Sequence, residues 1–196
     1  MSKPSERLKT YFHISDVTPI ARRCFVKNGF DGAMTALGVV IGAYISGATN
    51  SLWIISAGIG VSIAMGLSGF FGAYLTEESE RSIILNKLER SMLKKLGKSV
   101  IGRAKRFATL WVALVDGLSP FLIAIIGLSP FIFSFLSIIS LEYAVYSSIA
   151  INLLALFLLG VFLGKTSKKN IIVCGLKMFF VGLFLTIISF VLKIAA

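Results

Sequence analysis

The sequence predicts an all-α fold, an integral membrane bundle of five transmembrane helices. Three observations carry this. Hydrophobic residues make up 56% of the 196 and mean hydropathy is +0.88. Only 15% of residues are charged, against about 25% in an ordinary soluble domain. The apolar residues also gather into runs long enough to cross a hydrocarbon core of ~30 Å, which takes about 20 helical residues.

The first run extends from about Phe30 to Ile45, reaching back toward Cys24, and the second from Leu52 to Leu75. The third covers Phe107 to Leu163, 57 residues whose only charges are Asp116 and Glu142. As helix it would measure about 85 Å, so it must fold back on itself. The turn is expected between Pro130 and Leu141, giving spans at Phe107–Ser129 and Glu142–Leu163. The fifth span is Ile171–Leu192.

Basic residues orient these spans, because lysine and arginine accumulate in short cytoplasmic loops. Nineteen of the 20 fall on one side of a five-span arrangement, and only Lys193 falls on the other. The expected topology is a cell-membrane, multi-pass protein with a cytoplasmic N-terminus and an external C-terminus. Residues 1–22 read as a cytoplasmic tail without the apolar core of a signal peptide, and 23–196 as the transmembrane domain. Residues 76–106 form a cytoplasmic acidic and amphipathic segment between the second and third spans.

A net charge of +11 and a pI near 9.9 would suggest nucleic acid in a soluble chain. Here the basic residues determine topology and face anionic lipid, and no nucleic-acid partner is expected. Cys24 and Cys174 have no CxxC partner and read as small apolar side chains. The single histidine, His13, lies in the tail. No His/Cys zinc cluster, no Ser–His or Cys–His hydrolase set and no phosphate-binding glycine loop is present. The chain is therefore not expected to be an enzyme or to hold a resident cofactor.

Two acids lie clearly within spans, in a shared context. Phe30-Asp31-Gly32 and Val115-Asp116-Gly117 each open an apolar run rich in small residues, 85 positions apart. Both spans would run from inside to outside, which suggests a parallel two-helix repeat plus a fifth helix. A carboxylate in mid-helix costs about 2.5–3.5 kcal/mol to insert and usually marks an ion path. Asp31 could instead pair with Lys27 one turn earlier. Asp116, about 15 Å of helix beyond Arg106, could instead serve helix packing around Gly117 and Pro120.

Span two carries a stripe of small residues, Ser56, Gly60, Ala64, Ser68, Gly72 and Thr76, of the kind that lets helices approach closely in lipid. Gly38–Gly42 and Gly160–Gly164 could act similarly within the protomer or across a dimer. Beside the stripe lie Met65, Gly69, Ala73 and Glu77. Glu77, Glu78 and Glu80 with Glu89 could capture metal, or could pair with Arg81 and nearby lysines. Ile84, Leu88, Met92, Leu96 and Val100 make the following stretch amphipathic, and it is expected to lie on the membrane surface.

These residues resemble the vacuolar iron transporters and their prokaryotic relatives. The resemblance rests on NGFDGAMTALGVVIGA in the first span, GAYLTEESER at the end of the second, VDGLSPFLIAIIGLSPF in the third and GLKMFFVGLFLTIISFVL in the fifth, and covers nearly the whole membrane part. It implies a homodimeric exporter of Fe²⁺, and often Mn²⁺, that exchanges metal for protons. The family's first-span aspartate falls on Asp31. Its second-span methionine and glutamate fall on Gly69 and Ala73, with Met65 one turn earlier. Its glutamate-rich metal-binding module is shortened to the 31 residues of Thr76–Arg106.

The expected transport path is Asp31, Met34, Met65 and Asp116, and the expected metal contacts are Asp31, Glu77, Glu78, Glu80 and Glu89. The glutamates would concentrate a hydrated divalent ion, and Asp31 with a thioether would hold it after partial dehydration. One carboxylate cannot hold metal and proton together, so the two fluxes would be coupled. Fe²⁺ or Mn²⁺ suits oxygen ligands with one thioether. A transporter or channel for another cation or small solute, and a non-transporting membrane scaffold, are the alternatives.

Overall fold

A computed structural model describes residues 11–12, 17–97 and 99–195, with side chains described through Val191. The expected tail, His13 included, otherwise lies outside the described residues, as does Lys98. The helices are α1 (Val17–Ile45), α2 (Ser51–Met92), α3 (Val100–Phe135), α4 (Leu141–Thr166) and α5 (Ile171–Ala195). Each is long and apolar enough to cross a membrane, and no strand occurs among the described residues. The chain is an all-α, multi-pass membrane protein.

Local chemistry sets the helix limits. Asn50 Oδ1 accepts from Leu52 N at 2.9 Å, Ser99 Oγ from Gly102 N at 3.3 Å, and Asn170 Oδ1 from Ile172 N at 3.1 Å. Ser140 caps α4 by accepting from Tyr143 N. These side chains satisfy amides that the first helical turn leaves without partners. At their other ends α1 to α4 each close on a left-handed residue, namely Gly47, Leu93, Ser137 and Lys168. The next amide then reaches back five residues: Ala48 to Ala43, Lys94 to Glu89, Ile138 to Phe133 and Lys169 to Gly164. This is the Schellman closure, and glycine provides it once in four.

The start of α1 differs from expectation, and the reversal between α3 and α4 matches it. α1 begins at Val17, well before Phe30, because Ala21, Val26 and Gly29 continue a buried face. α2 runs unbroken for 42 residues, about twice the length a hydrocarbon core requires, so GAYLTEESER stays helical. The stretch expected as a surface helix is divided: Ile84, Leu88 and Met92 belong to α2, Leu96 to the connection and Val100 to α3. Its Ile84, Leu85 and Leu88 face Ile101 and Ala104 of α3 across a cavity of about 190 Å³. The reversal between α3 and α4 falls at 136–140, inside the expected window, and Pro130 lies within α3. There Ser129 Oγ donates to the Ile126 carbonyl at 2.7 Å, the group left without a helix amide by Pro130.

The chain divides into two compact units. One comprises the described residues up to Phe25 together with Leu67–Leu118. Its core is Val17, Ala108 and Val112, with Phe12, Ile20 and Cys24 packed against them. Phe12 stacks edge-on against Phe107 and Trp111.

The second unit holds Val26–Gly66 and the chain from Ser119 onward. Val40, Ile54, Leu128, Phe131, Ala144 and Val145 form one cluster, and Ala33, Leu37, Ile41 and Leu156 another. Glycines permit backbone contact between its helices. A Cβ on Gly32 would stand 2.5 Å from the Pro120 carbonyl oxygen, and one on Gly160 the same distance from that of Cys174. The Gly160–Gly164 pair therefore packs α4 on α5 within the chain. Gly38 and Gly42 have nothing within 4 Å.

Candidate functional site

In the second unit, Asp31 is half-buried on α1, between fully buried Gly32 and Ala33 and the exposed Lys27 one turn earlier. Arg81 pairs with Glu77, whereas Asp31 and Lys27 form no ion pair with each other. Met34 packs against the Ala33–Leu37–Ile41–Leu156 cluster, as does Met178. Met65 is half-buried on α2.

In the first unit, Asp116 on α3 is half-buried and meets two helices. The Cys24 thiol of α1 lies beside its carboxylate, and Glu77 and Arg23 are the other charged side chains near that thiol. From α2, a Cβ on Gly69 would lie 3.0 Å from the Asp116 carbonyl oxygen and 3.4 Å from its Oδ2. The half-buried face Gly69–Ala73–Glu77 expected from spacing thus lies beside this acid.

The four cytoplasmic-segment glutamates take separate roles. Glu77 accepts from Arg81 Nε at 2.7 Å, both side chains being 13% exposed. Glu89 accepts from Leu96 N at 2.6 Å and closes the turn before α3. Glu78 lines a second cavity, and Glu80 is exposed. The reason is rotational: at about 100° per residue, positions 77, 78 and 80 leave the helix in three directions. Among the described residues no three His, Cys, Asp or Glu side chains converge on one point.

Sequence reasoning missed three polar groups. Cys24, which has no CxxC partner and reads as a small apolar residue, does pack against Val17, Ala108 and Val112, but its thiol also lies beside Asp116. Ser148 Oγ donates to the Gly127 carbonyl at 2.6 Å and Asn152 Nδ2 to the Ser148 carbonyl at 2.9 Å, all in the second unit and fully buried. The lone asparagine inside an apolar run was the available signal. Thr109, 4% exposed, has a hydroxyl with no hydrogen-bond partner, which no spacing reveals.

The fold and these groups define a multi-pass helical membrane protein with carboxylates set into its spans. The sequence matches no family model. The chain belongs to the same family as the uncharacterized protein MJ0645 of Methanocaldococcus jannaschii, with 38% identity over 174 residues, 87% of each chain.

Proposed function

We propose that the protein exports a divalent cation, Fe²⁺ or Mn²⁺, from the cytosol in exchange for protons, as a homodimer in the cell membrane with its N-terminus cytoplasmic and its C-terminus outside. The observation that carries this reading is Asp31: a half-buried carboxylate inside a span that makes no ion pair among the described residues. Such a group is expensive to insert and is retained where it exchanges a cation. Asp116 with Cys24 supplies a second titratable position. The resemblance to the vacuolar iron transporters supports the ion and the direction, and the bias of Lys and Arg supports the orientation.

Each position offers few protein ligands, which suits an ion that keeps part of its water and leaves quickly. Metal and proton compete for the same oxygens, so metal movement displaces protons. The dimer is supported by the α2 stripe: Ser56, Gly60, Ala64, Ser68, Gly72 and Thr76 are all exposed on the single chain. That same exposure favours, as the second reading, a scaffold that uses the stripe for assembly.

Vesicles containing the full chain, with a pH dye inside and Fe²⁺, Mn²⁺, Co²⁺ or Ca²⁺ outside, test the proposal. Fe²⁺ or Mn²⁺ influx should alkalinise the lumen. Metal influx without a pH change would indicate a channel, and no influx would favour the scaffold.

A further inference from the structure

A second cavity, of about 430 Å³, lies within the first unit and is lined in part by Tyr74, Glu78, Lys105, Arg106, Thr109 and Leu110. It straddles the edge of the apolar runs on both helices. Tyr74 stands in the last turn of the run on α2 and Leu110 inside that on α3, while Glu78, Lys105 and Arg106 lie about one turn beyond. This edge is where lipid headgroups reside, and the volume falls within the range of small-ligand sites.

Its wall carries both signs of charge without internal neutralisation. Glu78 joins no ion pair among the described residues. Lys105 Nζ donates to Ser82 Oγ at 2.5 Å and Arg106 Nη2 to the Gly97 carbonyl at 3.3 Å. Each contact fixes a cationic head while using one of its several N–H groups. A bare anion would meet Glu78, and a bare cation would meet Lys105 and Arg106.

We infer that the cavity binds the headgroup of a phospholipid whose phosphodiester carries a primary ammonium group. The phosphate is held by Lys105 and Arg106, the ammonium by Glu78. Exposed apolar Leu75 and Leu110 continue from the cavity toward the acyl chains. This inference is independent of the transported ion.

The test is lipid binding to the detergent-purified full chain, read by native mass spectrometry and by thermal shift. Phosphatidylethanolamine should bind about tenfold more tightly than phosphatidylglycerol or phosphatidylcholine, since one charge-assisted contact is at stake in each comparison. Glu78→Gln should abolish the preference for ethanolamine over glycerol, whereas Lys105→Gln and Arg106→Gln should weaken both lipids. Equal binding of the three lipids, or an unchanged preference in Glu78→Gln, overturns the inference. If water-soluble glycerophosphoethanolamine produces the same shift as the lipid, the assignment to a lipid is wrong.

Discussion

Gly69 lies directly against Asp116: a methyl group on its Cα would stand 3.0 Å from the aspartate's carbonyl oxygen and 3.4 Å from Oδ2. Position 69 carries no side chain, and Asp116 from another helix occupies the space beside it. A larger residue at 69 would push into that carboxylate's surroundings. Gly69→Leu is therefore expected to suppress metal-driven proton flux by more than about tenfold, the equivalent of 1.4 kcal/mol, in vesicles where the protein still inserts and melts cooperatively. Wild-type flux in Gly69→Leu would separate this position from the transport path.

The thiol of Cys24 lies beside the same carboxylate. A hydrogen bond to a charged group contributes about 1.5–3 kcal/mol, and serine retains an O–H donor in nearly the same place. Cys24→Ser should keep transport within a few-fold of wild type, whereas Cys24→Ala should slow it by roughly tenfold. Initial rates of dye-reported flux distinguish the two variants.

Glycine contacts offer a paired test of packing. Gly32→Ala drives its Cβ to 2.5 Å from the Pro120 carbonyl oxygen, while Gly38→Ala meets nothing within 4 Å. Gly32→Ala should destabilise by about 2 kcal/mol or more, as overpacking does, and Gly38→Ala should leave the melting temperature nearly unchanged. Replacement of Gly38 or Gly60 by leucine should instead shift the monomer–dimer balance toward monomer, measured by single-molecule photobleaching in liposomes.

Leu93, Ser137 and Lys168 hold left-handed backbone, with φ of 50°, 59° and 53°. An L side chain there costs about 1–2 kcal/mol relative to glycine, partly offset by glycine's greater freedom when unfolded. Leu93→Gly should raise stability by about 0.5–1 kcal/mol, seen as a higher melting temperature in detergent; Lys168→Gly should do the same.

Most of the fold was legible because lipid imposes it: long apolar runs must be helices, and the 57-residue run had to reverse. What the sequence blurred were the ends. α1 starts at Val17 and α2 ends at Met92, because hydropathy marks where lipid begins and not where hydrogen bonding stops. The candidate site was half legible. Asp31 and Asp116 stood out by cost, but their neighbours depended on rotation about helix axes. That rotation sends Glu78 to a cavity wall, Glu77 to Arg81 and Glu89 to the Leu96 amide, and brings Cys24 to Asp116. Gly160–Gly164 packs within the chain while Gly38–Gly42 faces away, a distinction that identical spacing cannot encode.

The central claim is that Asp31 exchanges protons for a divalent ion within the span. The most direct measurement is simultaneous recording of metal influx and lumen pH in vesicles holding wild type or Asp31→Asn. Coupled Fe²⁺ or Mn²⁺ influx and alkalinisation in wild type, both lost in Asp31→Asn with the fold intact, is the predicted result. Coupled flux that persists undiminished in Asp31→Asn would contradict it.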